Sequence, residues 1–199
     1  MKHLLTIIVL WVLAVLPSGK ASAAAPPADS AETRPLQLAQ KYYAIGDFDQ
    51  ALRYGLLAVS AGEQIGDTTL TMSDCYYRVS LLYLLTQDFE KAVWYGKKGR
   101  DIAAVHGNIP KVYECTSYIA AALSKLHRYD DALSELRKTQ KTFPTRDPAI
   151  LLVSHLRYLN IYLDEGRPDL AKGYASIVLH MFNAPPRRRR PLQTMVSRH

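Results

Sequence analysis

The stretch Gly46-Asp47-Phe48-Asp49-Gln50-Ala51-Leu52 returns three times along the chain. The copies are Gln87-Asp88-Phe89-Glu90-Lys91-Ala92-Val93, His127-Arg128-Tyr129-Asp130-Asp131-Ala132-Leu133 and Gly166-Arg167-Pro168-Asp169-Leu170-Ala171-Lys172, at intervals of 41, 40 and 39 residues. A period of this size marks a stacked array of small structural units. Each copy is a polar turn followed by an aromatic residue or proline, an acid and an alanine. It reads as the corner of a helical hairpin. Gly46 closes one helix and Asp47 caps the next, with Gln50 three residues on.

The flanking sequence has helical periodicity throughout and no sustained two-residue alternation. Leu36, Leu38, Ala39, Tyr42 and Tyr43 precede the first corner; Ala51, Leu52, Leu56, Ala58 and Val59 follow it. Asp67, Asp88, Asn108 and Asp147 are expected to cap later helices, and Pro148 suits a first helical turn. The expected fold is all-α. It comprises four helix-turn-helix units at about 33–66, 67–107, 108–144 and 147–182, within an array spanning 33–183.

These units resemble tetratricopeptide repeats (TPR). The first-helix run of that family matches Leu38-Ala39-x-x-Tyr42, Val79-Ser80-x-x-Tyr83, Ile119-Ala120-x-x-Leu123 and Tyr158-Leu159-x-x-Tyr162; the second-helix alanine matches Ala51, Ala92, Ala132 and Ala171. The period is longer than the family's 34 residues. The family's first-helix Trp and second-helix Pro are mostly absent. The resemblance implies a right-handed α-solenoid, like the N-terminal TPR arrays of exported bacterial sensor-regulators. Small residues (Ala39, Ser80, Ala120) should let the helices of one hairpin approach, and aromatics (Tyr42, Tyr83, Phe48, Phe89, Tyr129) should fill the gap to the next hairpin.

Composition places the chemistry away from catalysis. The net charge is +7, but Lys2 and Lys20 at one end and Arg187–Arg190 with Arg198 at the other account for it. The rest has 18 basic residues against 18 acids. No nucleic-acid-binding body is expected. Residues 1–23 read as an export signal: Lys2, the apolar run Leu4–Leu16, and small residues that place cleavage after Ala23 or Ala25. The expected destination is the periplasm or cell envelope; the alternative is an uncleaved N-terminal anchor. Residues 24–32 read as a disordered linker and 184–199 as a basic disordered tail.

Cys75 and Cys115 lie one period apart, on equivalent stacked helices whose separation exceeds disulfide reach, so two packed thiols are expected. His106, His127, His155 and His180 are scattered without metal-ligand spacing, so no metal and no cofactor are expected. Lys97-Lys98-Gly99-Arg100 lacks the upstream glycine spacing of a phosphate loop. No nucleophile, Zn or dinucleotide motif is present, and no enzyme is expected.

The resemblance moves attention to the concave face formed by the first helices. Its expected partner-binding residues are Gln40 and Tyr43; Tyr77, Arg78, Leu81 and Leu84; Ser117, Tyr118 and Ala121; and Leu156, Arg157 and Asn160. Tyr and Arg are the residue types most enriched at binding hot spots. Only Asn160 and the two arginines match the Lys/Asn/Lys/Arg set with which some TPR proteins hold a peptide terminus, so that clamp is not expected. The expected function is a non-catalytic scaffold binding a protein or peptide partner. The alternative is a stand-alone or truncated sensory module of an envelope signalling system. Helix 168–182 lacks a polar capping helix after it, which suggests self-association there or an architecture whose relatives continue.

Overall fold

A computed structural model describes residues 32–183. The segments read above as an export signal (1–23), a linker (from 24, up to residue 31) and a basic tail (184–199) lie outside the described residues. Glu32, read as linker, instead belongs to the fold: its carbonyl accepts from the Leu36 amide at 3.0 Å, opening the first helix.

The described residues form eight α-helices and no strand. They are α1 (Thr33–Ala44), α2 (Phe48–Gln64), α3 (Leu70–Leu85), α4 (Phe89–Val105), α5 (Ile109–Lys125), α6 (Tyr129–Thr142), α7 (Pro148–Asp164) and α8 (Pro168–Asn183). Helices pack in sequential pairs. In addition α5 packs on both α3 and α7, so the first helices of successive pairs make an inner layer.

The corners explain the recurring motif. At the start of each motif copy the chain reverses through a pair of amide-to-carbonyl bonds. In the first, Gly46 donates to Tyr43 at 3.1 Å and Asp47 to Tyr42 at 3.0 Å. The same pair recurs at 87/88, 127/128 and 166/167, and between repeats at 66/67 and 107/108. This closure places its first residue in the left-handed region. Asp47, Asp88, Asn108 and Asp147 then cap the next helices by accepting from Gln50, Lys91, Lys111 and Ala149 amides. Asp67 departs from expectation: α3 starts later, with Thr69 at its N-cap, and Asp67 accepts from both the amide and the hydroxyl of Thr69. In Asp67-Thr68-Thr69 the acid braces the turn before the helix.

Gly46, Gly66, Gly107 and Gly166 fill four of the six left-handed positions; Gln87 (φ 65°) and His127 (φ 59°) fill the others. A side chain there costs about 1–2 kcal/mol. The His127 ring is tied to the Tyr129 hydroxyl at 2.8 Å, whereas Gln87 is exposed. Gln87→Gly should therefore stabilise the fold by about 0.5–1 kcal/mol, after the entropy that glycine adds to the unfolded chain. Chemical denaturation checks it; an unchanged or lowered midpoint would count against strain at this corner.

Second helices sit close to their neighbours because they carry glycine and alanine inward. A Cβ on Gly55 would meet Val79 at 3.0 Å, one on Gly96 would meet Ile119 at 2.7 Å, and one on Gly99 would meet the Ser73 carbonyl oxygen at 3.1 Å. The near approach is used by hydroxyls. Ser73 donates to the Gly99 carbonyl at 2.8 Å and Ser80 to the Ala92 carbonyl at 2.7 Å. Gly99 thus belongs to the α3–α4 contact.

The aromatics correct one expectation. Tyr42 stacks on Tyr54, Tyr83 on Tyr95 and Tyr162 on Tyr174, with ring centroids 5.3, 5.3 and 5.6 Å apart. These are repeat-equivalent pairs joining the two helices of one hairpin. Tyr42 and Tyr83 therefore fasten their own unit, at a spacing of 12 residues that brings the rings together across the corner. Tyr129 does reach the next unit, donating to the Asp164 carbonyl at 3.1 Å.

Helix α5 is the centre of the core, with every residue from Cys115 to Ser124 buried. Both cysteines are free and buried. Burial pushes each thiol up to about 12, so both stay protonated and inert at neutral pH. At the far end α8 leaves Leu170, Ile177, Leu179 and Phe182 exposed.

Candidate functional site

The inner layer presents the faces of α1, α3, α5 and α7 that do not pack on the second helices. Of the twelve expected binding residues, Gln40 is exposed, and Tyr43, Tyr77, Arg78, Leu81, Leu84 and Asn160 are half-buried. Ser117, Tyr118, Ala121, Leu156 and Arg157 are buried, which corrects their reading as open groove surface. The physical reason is lateral packing. Helix α5 has first helices on both sides, so its inner face is walled by α3 and α7.

The structure brings the α1 and α3 candidates together. Gln40, Tyr43, Arg78 and Leu81 line one cleft with Ala39 and Leu82. Its space, counted out to open solvent, is about 260 Å³. It is a shallow cleft rather than an enclosed small-molecule site of roughly 300–1,000 Å³. The Arg78 Nε is buried without a hydrogen-bond partner.

Tyr77 and Tyr118 stack with centroids 5.1 Å apart and hydroxyl oxygens 3.3 Å apart, joining α3 to α5. Burial, chiefly, raises both phenols above their ordinary range, so both remain neutral donors. Lys111 lies 4.0 Å over the Tyr77 ring and is held by Asp74 at 2.8 Å and Glu114 at 2.7 Å. Sequence reading missed Lys111: its signal was only an (i, i+3) acid, and Asp74 comes from the preceding repeat. Arg157 crosses from α7 to α5, its Nε donating to the Ser117 hydroxyl at 3.0 Å.

The histidines take local roles. His106 meets the Thr68 carbonyl at 2.7 Å, and His155 leans on the Tyr174 ring, with burial lowering its pKa. Among the described residues no group of three His, Cys, Asp or Glu side chains converges on a metal-sized site, and no helix is long and apolar enough to cross a membrane.

An inner layer of first helices with recurrent hairpin corners matches solved repeat proteins. BtubC (BKLC) from P. vanneervenii superposes with a TM-score of 0.67 at 14% identity, over 88% of this chain and 75% of that one. This is a TPR-type repeat fold. A putative kinesin light chain from Podosopora anserina with nearly identical TPR-like repeats gives 0.65 at 16% identity, over 90% of this chain and 84% of that one. A Rap protein, solved in complex with Competence and Sporulation Factor, gives 0.63 at 14% identity over 74% of this chain. The TPR array spans 42% of that Rap protein's length. No family model matches the sequence, and no curated protein matches it.

Proposed function

We propose that this TPR array is a non-catalytic interaction scaffold that takes an extended peptide or partner segment along its inner face. The observation that carries this reading is the cleft between α1 and α3. It combines an apolar wall (Ala39, Leu81, Leu82) with the polar side chains of Gln40 and Arg78. Such a mixture suits recognition of a segment whose residues enter successive shallow pockets. The Rap protein in complex with Competence and Sporulation Factor supports the reading, because it shows the same type of fold in a complex.

Peptide phage display against the purified array tests it. Selected peptides should bind the wild type and lose about ten-fold or more in affinity on Arg78→Ala combined with Leu81→Ala, given hot-spot losses above about 1 kcal/mol each. Failure to select any peptide, or equal binding by the double variant with its helicity intact, would remove this cleft from the function. Tyr77→Ala is a poorer probe, because it also strips Tyr118 and Lys111 of a partner.

A further inference from the structure

We infer that the outer flank of α8, together with the arginine run that follows it in sequence, docks on an anionic lipid surface. Leu179 and Phe182 enter the acyl boundary and Arg187–Arg190 meet the headgroups. This contact lies on the last described helix, apart from the cleft between α1 and α3, and does not depend on the scaffold reading.

The repeat register identifies the flank. Leu179 and Phe182 stand eight and eleven residues after the motif alanine Ala171, as Val59 and Gly62 stand after Ala51. In α2 these positions are covered by the next unit: Val59 is buried, and Gly62 lies against the Met72 side chain of α3. In α8 no described helix follows, and Leu179 and Phe182 are 62% and 59% exposed. Three residues apart on one helix, they lie on the same side of it. Ala171 and Val178 are buried and α8 packs on α7, so the flank belongs to a helix that is otherwise fixed.

Charge selects the occupant. Between Leu170 and His199 there is no acid, and the bases are Lys172, Arg187, Arg188, Arg189, Arg190 and Arg198. The four consecutive arginines begin five residues after Phe182. A second copy on the same flank would bring two such segments together, with no acid in either to offset them. Stacking on the α1 of another copy adds a further base. One period before Leu82, which α3 offers to Gly55 of α2, α1 carries the exposed Lys41. A nucleic acid supplies negative charge but leaves the two apolar side chains in water. An anionic lipid surface supplies both: its headgroups take the arginines and the boundary beneath them takes Leu179 and Phe182. The two signals act together, since a single one gives only marginal attachment.

A thiol-reactive, environment-sensitive dye on Asn183→Cys of the full chain tests this. Cys75 and Cys115 are buried, so the dye labels residue 183 alone. It reports burial at this flank rather than attachment through the apolar run Leu4–Leu16. Mixed phosphatidylglycerol–phosphatidylcholine vesicles should shift its emission to the blue, and pure phosphatidylcholine vesicles should not. Arg187→Gln through Arg190→Gln together should raise the half-saturating lipid concentration about a hundred-fold or more, at about five-fold per base near an anionic surface. Leu179→Ser combined with Phe182→Ser should raise it about ten-fold or more with helicity unchanged. No shift on the anionic vesicles, or an equal shift on the neutral ones, overturns the assignment. Wild-type binding by the Leu179→Ser, Phe182→Ser variant also overturns it, and reduces the contact to the charge alone that a nucleic acid would use. A vesicle-free dimer in light scattering that this variant dissolves gives the flank to a second copy and likewise overturns it.

Discussion

Gly99→Val should destabilise the fold by about 3 kcal/mol, near the upper end of what overpacking costs. In an array of this size that corresponds to a fall in thermal midpoint of roughly 6–12 °C. The size follows from what a side chain at residue 99 would meet. The nearest atoms to an added Cβ are the Ser73 carbonyl oxygen at 3.1 Å, the Tyr76 Cβ at 3.2 Å and the Tyr77 amide nitrogen at 3.3 Å. Two of these are backbone, so no rotamer change relieves them. Separation of α3 from α4 is the remaining response, and it breaks the Ser73 hydrogen bond to the Gly99 carbonyl.

Two other glycines test the same reasoning with different signs. Nothing lies within 4 Å of a Cβ on Gly173 in α8. Gly173→Ala should therefore gain most of the helix-propensity difference, about 1 kcal/mol. At Gly96 the obstacles are side-chain atoms, Ile119 Cγ1 at 2.7 Å and Ser80 Oγ at 3.0 Å; Gly96→Ala should therefore destabilise, but by less than Gly99→Val. Urea denaturation of the three variants checks the order. If Gly99→Val proves neutral, close helix approach is not what the second-helix glycines supply.

Much of this was legible in the sequence for local reasons. A cap is set by four consecutive residues, so Asp47, Asp88, Asn108 and Asp147 announce themselves. Asp67 misleads because Thr69 competes for the same helix start two residues later. The left-handed corners at Gln87 and His127 are hidden, since nothing in a glutamine or histidine signals positive φ; only the repeat register aligns them with Gly46 and Gly166. Gly96 precedes and Gly99 sits within the polar run from Lys97 to Arg100, and their role appears only when α3 and α5 are placed against them. The candidate site divides along the same line. Helical spacing puts Gln40, Tyr43, Arg78 and Leu81 on one side of their hairpins, and the fold brings those four to one cleft. Spacing cannot show that α5 is flanked on both sides. The burial of Ser117, Tyr118, Ala121, Leu156 and Arg157 is therefore a tertiary fact. The Arg157 hydrogen bond to Ser117 is likewise a property of the assembled layer.

The second large effect concerns alkaline pH, and its sign comes from groups whose neutral form the fold prefers. Cys75 and Cys115 rise from an ordinary value of 9.0 to about 12, through burial first and neighbouring acids second for Cys75. Buried tyrosines behave alike: Tyr158 rises from 10.0 to about 12, and Tyr76 and Tyr118 rise further, burial leading in each. A group whose folded value is raised contributes fully below its unfolded value. Above that value the unfolded chain has already lost the proton and the folded chain has not, so stability falls as pH rises. Each such group removes about 1.4 kcal/mol per pH unit. Stability should thus be level up to about pH 8.5, where unfolded thiols begin to ionise. It should then decline by about 3 kcal/mol per unit from the two thiols, and more steeply above about pH 10 as the tyrosines join. Against a total of about 5–15 kcal/mol, the array should unfold cooperatively between about pH 10 and 11, with tyrosinate absorbance rising in the same step as helicity is lost. Replacing both cysteines by alanine should abolish the first limb and leave the second, although the variant starts from a lower plateau because two buried sulfurs are removed. Survival of the first limb in that variant would show that the thiols do not carry it. Tyrosinate absorbance appearing well before helix loss would show that the phenols of the inner layer are open to water in the folded array.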